Sequence, residues 1–150
     1  MIKHQGGCHC GQVRFSTEYD PLLVFQCNCM RCRRMTGMAT VAVVYGDQEA
    51  EISGTTKEYT TPGGSGMPVH YHFCPDCGSR VYFAAEVLDG FIGFSLGAFD
   101  DSLAFEPESE IFTSYKMKWI RDDGCIKESF EEAAVLERIQ ALMKNLDQRA

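Results

Sequence analysis

The chain has 150 residues, 45% of them hydrophobic, with 14 basic against 21 acidic side chains and a formal net charge of −7. That length suits one compact domain with a sizeable core and argues against two. The acidic balance disfavours non-specific nucleic-acid binding, which rests on basic residues meeting phosphates, and the longest aliphatic run, Val41-Ala42-Val43-Val44, falls far short of the ~20 residues of a membrane helix. Met1-Ile2-Lys3-His4-Gln5 opens no secretory leader, so a cytoplasmic protein without membrane or nucleic-acid partners is expected.

In chain order, short β-branched or aromatic runs broken by Gly, Pro and Asp predict strands at 13–17, 22–27, 39–45, 50–53, 57–60, 69–73, 80–84, 90–95 and 111–115. Turn signals between them, such as Gly46-Asp47 and Ser53-Gly54, predict hairpins. The fold class expected is therefore mainly β, a folded or tent-like pair of antiparallel sheets. Residues 29–36 read as one short helical turn that places Cys29 and Cys32 on a common face with Arg33 in reach. The stretch 60–68 is too rich in Gly and Pro for regular structure, and reads as a hairpin loop rather than a lid. At the C-terminus Val135, Leu136, Ile139, Leu142, Met143 and Leu146 recur at helical spacing. Ser129 with Glu132 three positions on supplies a capping box, so a helix over about 130–147 is expected to pack on a sheet.

Eight cysteines fall at Cys8 and Cys10, at Cys27, Cys29 and Cys32, at Cys74 and Cys77, and alone at Cys125. Thiolates two or three residues apart converge on one ion more readily than they form disulfides, and zinc is the metal such clusters favour. A structural zinc site takes four thiolates, whereas an open site has three protein ligands and leaves a fourth position for water or substrate. One division of the seven clustered cysteines joins Cys8, Cys10, Cys74 and Cys77 in a closed site and leaves Cys27, Cys29 and Cys32 as an open one. The other gives Cys29, Cys32, Cys74 and Cys77 to a plain zinc ribbon. The Cys29-x-x-Cys32 spacing also permits redox chemistry.

The runs Gly6-Gly7-Cys8-His9-Cys10-Gly11-Gln12-Val13-Arg14-Phe15, Cys27-Asn28-Cys29-Met30-Arg31-Cys32-Arg33-Arg34-Met35-Thr36-Gly37 and Phe73-Cys74-Pro75-Asp76-Cys77-Gly78-Ser79 together resemble the glutathione-dependent formaldehyde-activating enzyme family. Pro107, Ser109-Glu110-Ile111-Phe112 and Trp119-Ile120 fit its C-terminal pattern, with Glu110 standing where many members carry histidine. The resemblance covers roughly residues 5–122. It implies the tent-like β-fold shared with methionine sulfoxide reductase B and a Rab-exchange chaperone, and a carbon–sulfur lyase. It implies two zinc ions, a structural one on Cys8, Cys10, Cys74 and Cys77 and a catalytic one on Cys27, Cys29 and Cys32.

An open three-thiolate site would hold a small thiol such as glutathione as a nucleophile toward formaldehyde, or act as a Lewis acid on the aldehyde oxygen. Arg33 or Arg34 is expected to grip a substrate carboxylate, with Arg31 a weaker candidate. His9, His70 and His72 read as ordinary surface or strand histidines, and Cys125 as an unpaired thiol. A competing reading is a zinc-stabilised module that binds a protein or peptide without catalysis. Whether the chain acts as a monomer or a homodimer is left open by these patterns.

Overall fold

The β-branched and aromatic runs fold as strands in the computed structural model, which describes residues 1–149. In chain order the elements are β1 (His4–Gly7), β2 (Arg14–Thr17), β3 (Leu23–Cys27), α1 (Met30–Thr36), β4 (Thr40–Gly46), β5 (Ala50–Ser53), β6 (Lys57–Pro62), β7 (Pro68–Phe73), β8 (Arg80–Ala85), β9 (Phe91–Ser95), β10 (Ser109–Ile111), β11 (Glu128–Ser129) and α2 (Val135–Asp147). They build a three-stranded sheet, β1-β2-β5, and an eight-stranded sheet of order β11-β10-β3-β4-β9-β8-β7-β6. The fold is mainly β, as the sequence predicts. Pairing is antiparallel except at one edge, where β10 runs parallel to both β3 and β11. No helix among the described residues is long and apolar enough to cross a membrane.

Strands β3 and β4 are apolar at almost every position because both of their faces are buried. Successive side chains on a strand point to opposite faces. Val24, Val43 and Tyr45 thus enter one core with Val13, Phe15, Phe94 and Phe99, while Leu23, Phe25, Ala42 and Val44 enter a second with Ile111 and Leu142. The cysteines divide between the same two cores. Cys8 and Cys74 belong to the first core, and Cys27, Cys29 and Cys32 to the second.

The departures from the predicted elements have local causes. Strand β1 carries no alternation, because Gly6 sits where a Cβ would lie 2.1 Å from the Ala98 carbonyl oxygen. Residues 111–115 do not form one strand. The chain leaves β10 at Phe112, a left-handed residue with φ 55°, and Thr113–Tyr115 is a 3-10 turn. Within 60–68, β6 and β7 persist to Pro62 and Pro68, and only a short turn closed by the Gly63 N–H on the Met67 carbonyl remains.

The C-terminal helix begins at Val135 rather than near 130. Ser129 is spent on β11, where its hydroxyl meets the Glu110 carboxylate at 3.0 Å. The Phe130 N–H is spent on the Glu110 carbonyl. Neither group is free to cap a helix, and tertiary pairing overrides the capping box. From Val135 onward Ile139, Leu142 and Leu146 of the predicted stripe pack against the second core, with Leu142 fully buried, while Leu136 and Met143 face solvent.

Leu142→Ala should therefore cost about 2–5 kcal/mol in urea denaturation, the range for truncating a buried leucine. Met143→Ala, at a side chain 47% exposed, should stay within about 0.5 kcal/mol.

Candidate metal and ligand site

Two turns of similar make bring the first cysteine group together. In one, the Cys8 N–H bonds the Val13 carbonyl and the Gly11 N–H bonds the Cys8 carbonyl; in the other, the Cys74 N–H bonds Ser79 and the Gly78 N–H bonds Cys74. In each turn the residue after the second cysteine is a glycine at positive φ, Gly11 at 83° and Gly78 at 76°, a conformation that side chains resist. Backbone and hydroxyl donors face the sulfurs. The Val13 N–H lies 3.2 Å from Cys8 Sγ, and Ser79 Oγ lies 3.3 Å from Cys77 Sγ. The Ser79 hydroxyl and backbone hold the Cys77 thiol down, to about 5.

The second group lies on the entry to α1. Cys27 ends β3, and Cys29 is the helix N-cap, its sulfur accepting from the Cys32 N–H at 3.3 Å. Hydrogen bonds from the Cys27 and Cys32 thiols, with the Cys32 N–H, hold the Cys29 thiol down at about 2, and hydrogen bonds with Cys29 and Cys32 push Cys27 far up. A negative charge on these sulfurs belongs to the cluster as a whole.

The donor atoms of Cys8, Cys10, Cys74 and Cys77 lie within 4.8 Å of one another, as do those of Cys27, Cys29 and Cys32. Tetrahedral zinc with Zn–S near 2.3 Å requires sulfurs about 3.8 Å apart. The Cys8–Cys10 and Cys10–Cys74 sulfur separations of 3.6 and 3.7 Å meet that requirement and are far too long for disulfides. Each group could hold a metal ion. The ribbon grouping of Cys29 and Cys32 with Cys74 and Cys77 does not occur.

Asn28, between two of the sulfurs, is 1% exposed, and its amide donates to Glu110 at 3.2 Å and to the Ile111 carbonyl at 3.0 Å. Glu110 is itself buried and receives Lys116 and Ser129 at 3.0 Å each. The cysteine loop is thereby clamped to β10 by a satisfied charge network.

Cys27 and Cys32 line a cavity of about 60 Å³ walled by Phe25, Val69, Phe83, Ile111 and Phe112. Three arginines also line it, Arg31, Arg80 and Arg138, together with Tyr71 and the turn residues Gly63 to Ser65. Arg31 Nε donates to the Tyr71 hydroxyl at 2.8 Å. Arg33 and Arg34 do not line the cavity. Arg33 bonds Met30 Sδ and the Tyr115 carbonyl, and Arg34 is exposed. His70 lies between Glu58 and Glu86, His72 stacks on Tyr82 at 4.4 Å, and His9 is exposed; none belongs to a cysteine group. Arg80 and Arg138 were missed by sequence reasoning. Arg138 had a signal, since it interrupts the apolar stripe three residues after Val135 and four before Leu142.

Comparison with known proteins bears on this arrangement. The sequence model of the family described as glutathione-dependent formaldehyde-activating enzyme matches residues 3–115. A Halomonas elongata protein, provisionally named a glutathione-dependent formaldehyde-activating enzyme, is 27% identical over 133 residues, spanning 77% of this chain and 78% of its own. Among solved structures, a Rhodobacter sphaeroides protein superposes with a TM-score of 0.51 at 16% identity, over 84% of this chain and 98% of its own. The last likeness is one of fold alone.

Removing the carboxylate at the centre of the clamp leaves Lys116 and Asn28 without their partner. Glu110→Ala should lower stability by about 3 kcal/mol in urea denaturation, whereas Glu108→Ala, on the neighbouring exposed position, should change it by less than about 1 kcal/mol.

Proposed function

The chain belongs to the glutathione-dependent formaldehyde-activating enzyme family, and from that premise we propose that it is a zinc-dependent carbon–sulfur lyase that reversibly joins a small, glutathione-like thiol to an aldehyde. Residues 1–150 are read as one domain of that family, with α2 as its extension. Cys8, Cys10, Cys74 and Cys77 would hold a structural zinc with no position to spare, and Cys27, Cys29 and Cys32 a second ion with one position open. When bound, the second ion supplies a Lewis-acidic position that favours the thiolate form of a thiol at neutral pH.

The residues of the chain do the rest. Cys27 and Cys32 present the open site to the cavity, so that a thiol entering there meets its partner away from bulk water. Phe25, Phe83 and Phe112 exclude water from the reacting carbon. In the forward direction the sulfur lone pair forms the carbon–sulfur bond, and the carbonyl π pair moves to oxygen. That oxygen takes up a proton to give a hydroxymethyl thioether, and the reverse reaction breaks the same bond. Closely spaced thiols of the kind that bind metal suit the reducing environment of the cytoplasm, where the chain is proposed to act.

The observation that carries this reading is that two sulfurs of the three-sulfur group, Cys27 and Cys32, line a cavity walled by Phe25, Val69, Phe83, Ile111 and Phe112. Elemental analysis should find two zinc ions per parent chain and one in Cys29→Ser, with the far-ultraviolet dichroism unchanged. Exchange spectroscopy on glutathione and carbon-13 formaldehyde should show adduct formation accelerated by the parent alone. One ion in both proteins, or two ions without acceleration, would sink the lyase and favour a zinc-stabilised binding module.

A further inference from the structure

Arg31, Arg80 and Arg138 come from α1, β8 and α2, three segments distant in sequence, yet all three line the cavity of Cys27 and Cys32. Among the described residues no carboxylate pairs with any of them. Their contacts are aromatic faces and neutral oxygens. Arg80 lies over the Tyr71 ring and Arg138 over Phe25, each at 5.1 Å; Arg138 Nε donates to the Ala133 carbonyl at 2.9 Å, and Arg31 to Tyr71. Arg80 Nε and Nη1 are buried without any hydrogen-bond partner. Burial also pulls the Arg138 guanidinium below the ordinary arginine range.

A buried guanidinium left without an anion is costly. The cysteines do not discharge that cost. A dication with three thiolates carries one negative charge, which leaves two of the three guanidinium charges uncompensated. A plain thiolate entering the open site would balance one more, and a second anionic group is needed for the last. The donor chemistry favours a carboxylate, since the planar guanidinium fork matches its two oxygens. The three arginines line the same small cavity as Cys27 and Cys32, so the sulfur and the carboxylate of one ligand are to be joined by a chain short enough to stay within it.

We propose that Arg80, with Arg31 and Arg138, forms a carboxylate-recognition site beside Cys27 and Cys32, and that the thiol the cavity accepts is a short mercaptocarboxylate. Arg138 lies beyond residues 3–115, the span of the family match, so the arginine trio is assembled partly by this chain's own C-terminal helix. The assignment rests on the reading of Cys27, Cys29 and Cys32 as an open metal site for thiols, and the test separates the two.

Calorimetry on the zinc-loaded protein would compare 3-mercaptopropionate, 2-mercaptoethanol, propionate and glutathione, for the parent, Arg80→Gln, Arg80→Lys and Arg138→Gln, each checked for folding by near-ultraviolet dichroism. For the parent, 3-mercaptopropionate should bind at least about tenfold tighter than 2-mercaptoethanol, the worth of one charge-assisted pair. That preference should fall to about twofold or less in Arg80→Gln, be partly kept in Arg80→Lys, which retains the charge without the fork, and shrink in Arg138→Gln. Propionate binding that depends on Arg80, with no gain from adding sulfur, would uphold the carboxylate site and overturn the open thiol site alone. Equal binding of the two small thiols would overturn the carboxylate site and leave the open site standing. Glutathione gaining more from Arg80 than 3-mercaptopropionate would overturn the short-chain assignment, and no binding by any probe would overturn the whole proposal.

Discussion

Sulfurs drawn within 4.8 Å of one another cannot all ionise unless a cation shares the space, because each thiolate raises the cost of the next. Much of the architecture follows from accepting that constraint twice. Cys10 and Cys74 are 64 positions apart and their sulfurs 3.7 Å apart, so a cation there closes a loop that contains β2 to β7. Chain entropy lost in closing such a loop would be offset by metal coordination. The small sheet leans on that closure, since the turn at Cys8 leads directly from β1 into β2.

The two sulfur groups belong to the two cores that β3 and β4 divide between their faces. Val43 and Tyr45 pack in the core that holds Cys8 and Cys74, while Ala42 and Val44, on the same strand, pack in the core that holds Cys27, Cys29 and Cys32. A slip of one residue in β4 would exchange the faces and empty both cores at once. On β3 the parity that fills the second core with Leu23 and Phe25 also turns Cys27 to that face.

Much of this was legible in the sequence. Cysteine spacing marked the two sulfur groups, and the β-branched run at 39–45 marked a strand that forms where expected. What was not legible was decided by partners far away in the chain. Ser129 reads as a helix cap and instead meets Glu110, while Gly6 lies in a strand without a pattern because Ala98 crowds it. Arg80 and Arg138 show no joint signature, since only the folded sheet and α2 bring them to one cavity. Arg33 and Arg34, adjacent to Cys32 in sequence, lie outside that cavity because the helix turns them toward Met30, Tyr115 and solvent.

The helix α2 brings Leu142 to the second core and Arg138 to the cavity wall, yet no cysteine of either sulfur group lies on it. Mutations on this helix can therefore reshape the wall of the chamber while every metal ligand and its supporting loop stays in place. Selection for a new substrate can act on Arg138 without touching any cysteine, provided Leu142 keeps α2 seated against the second core.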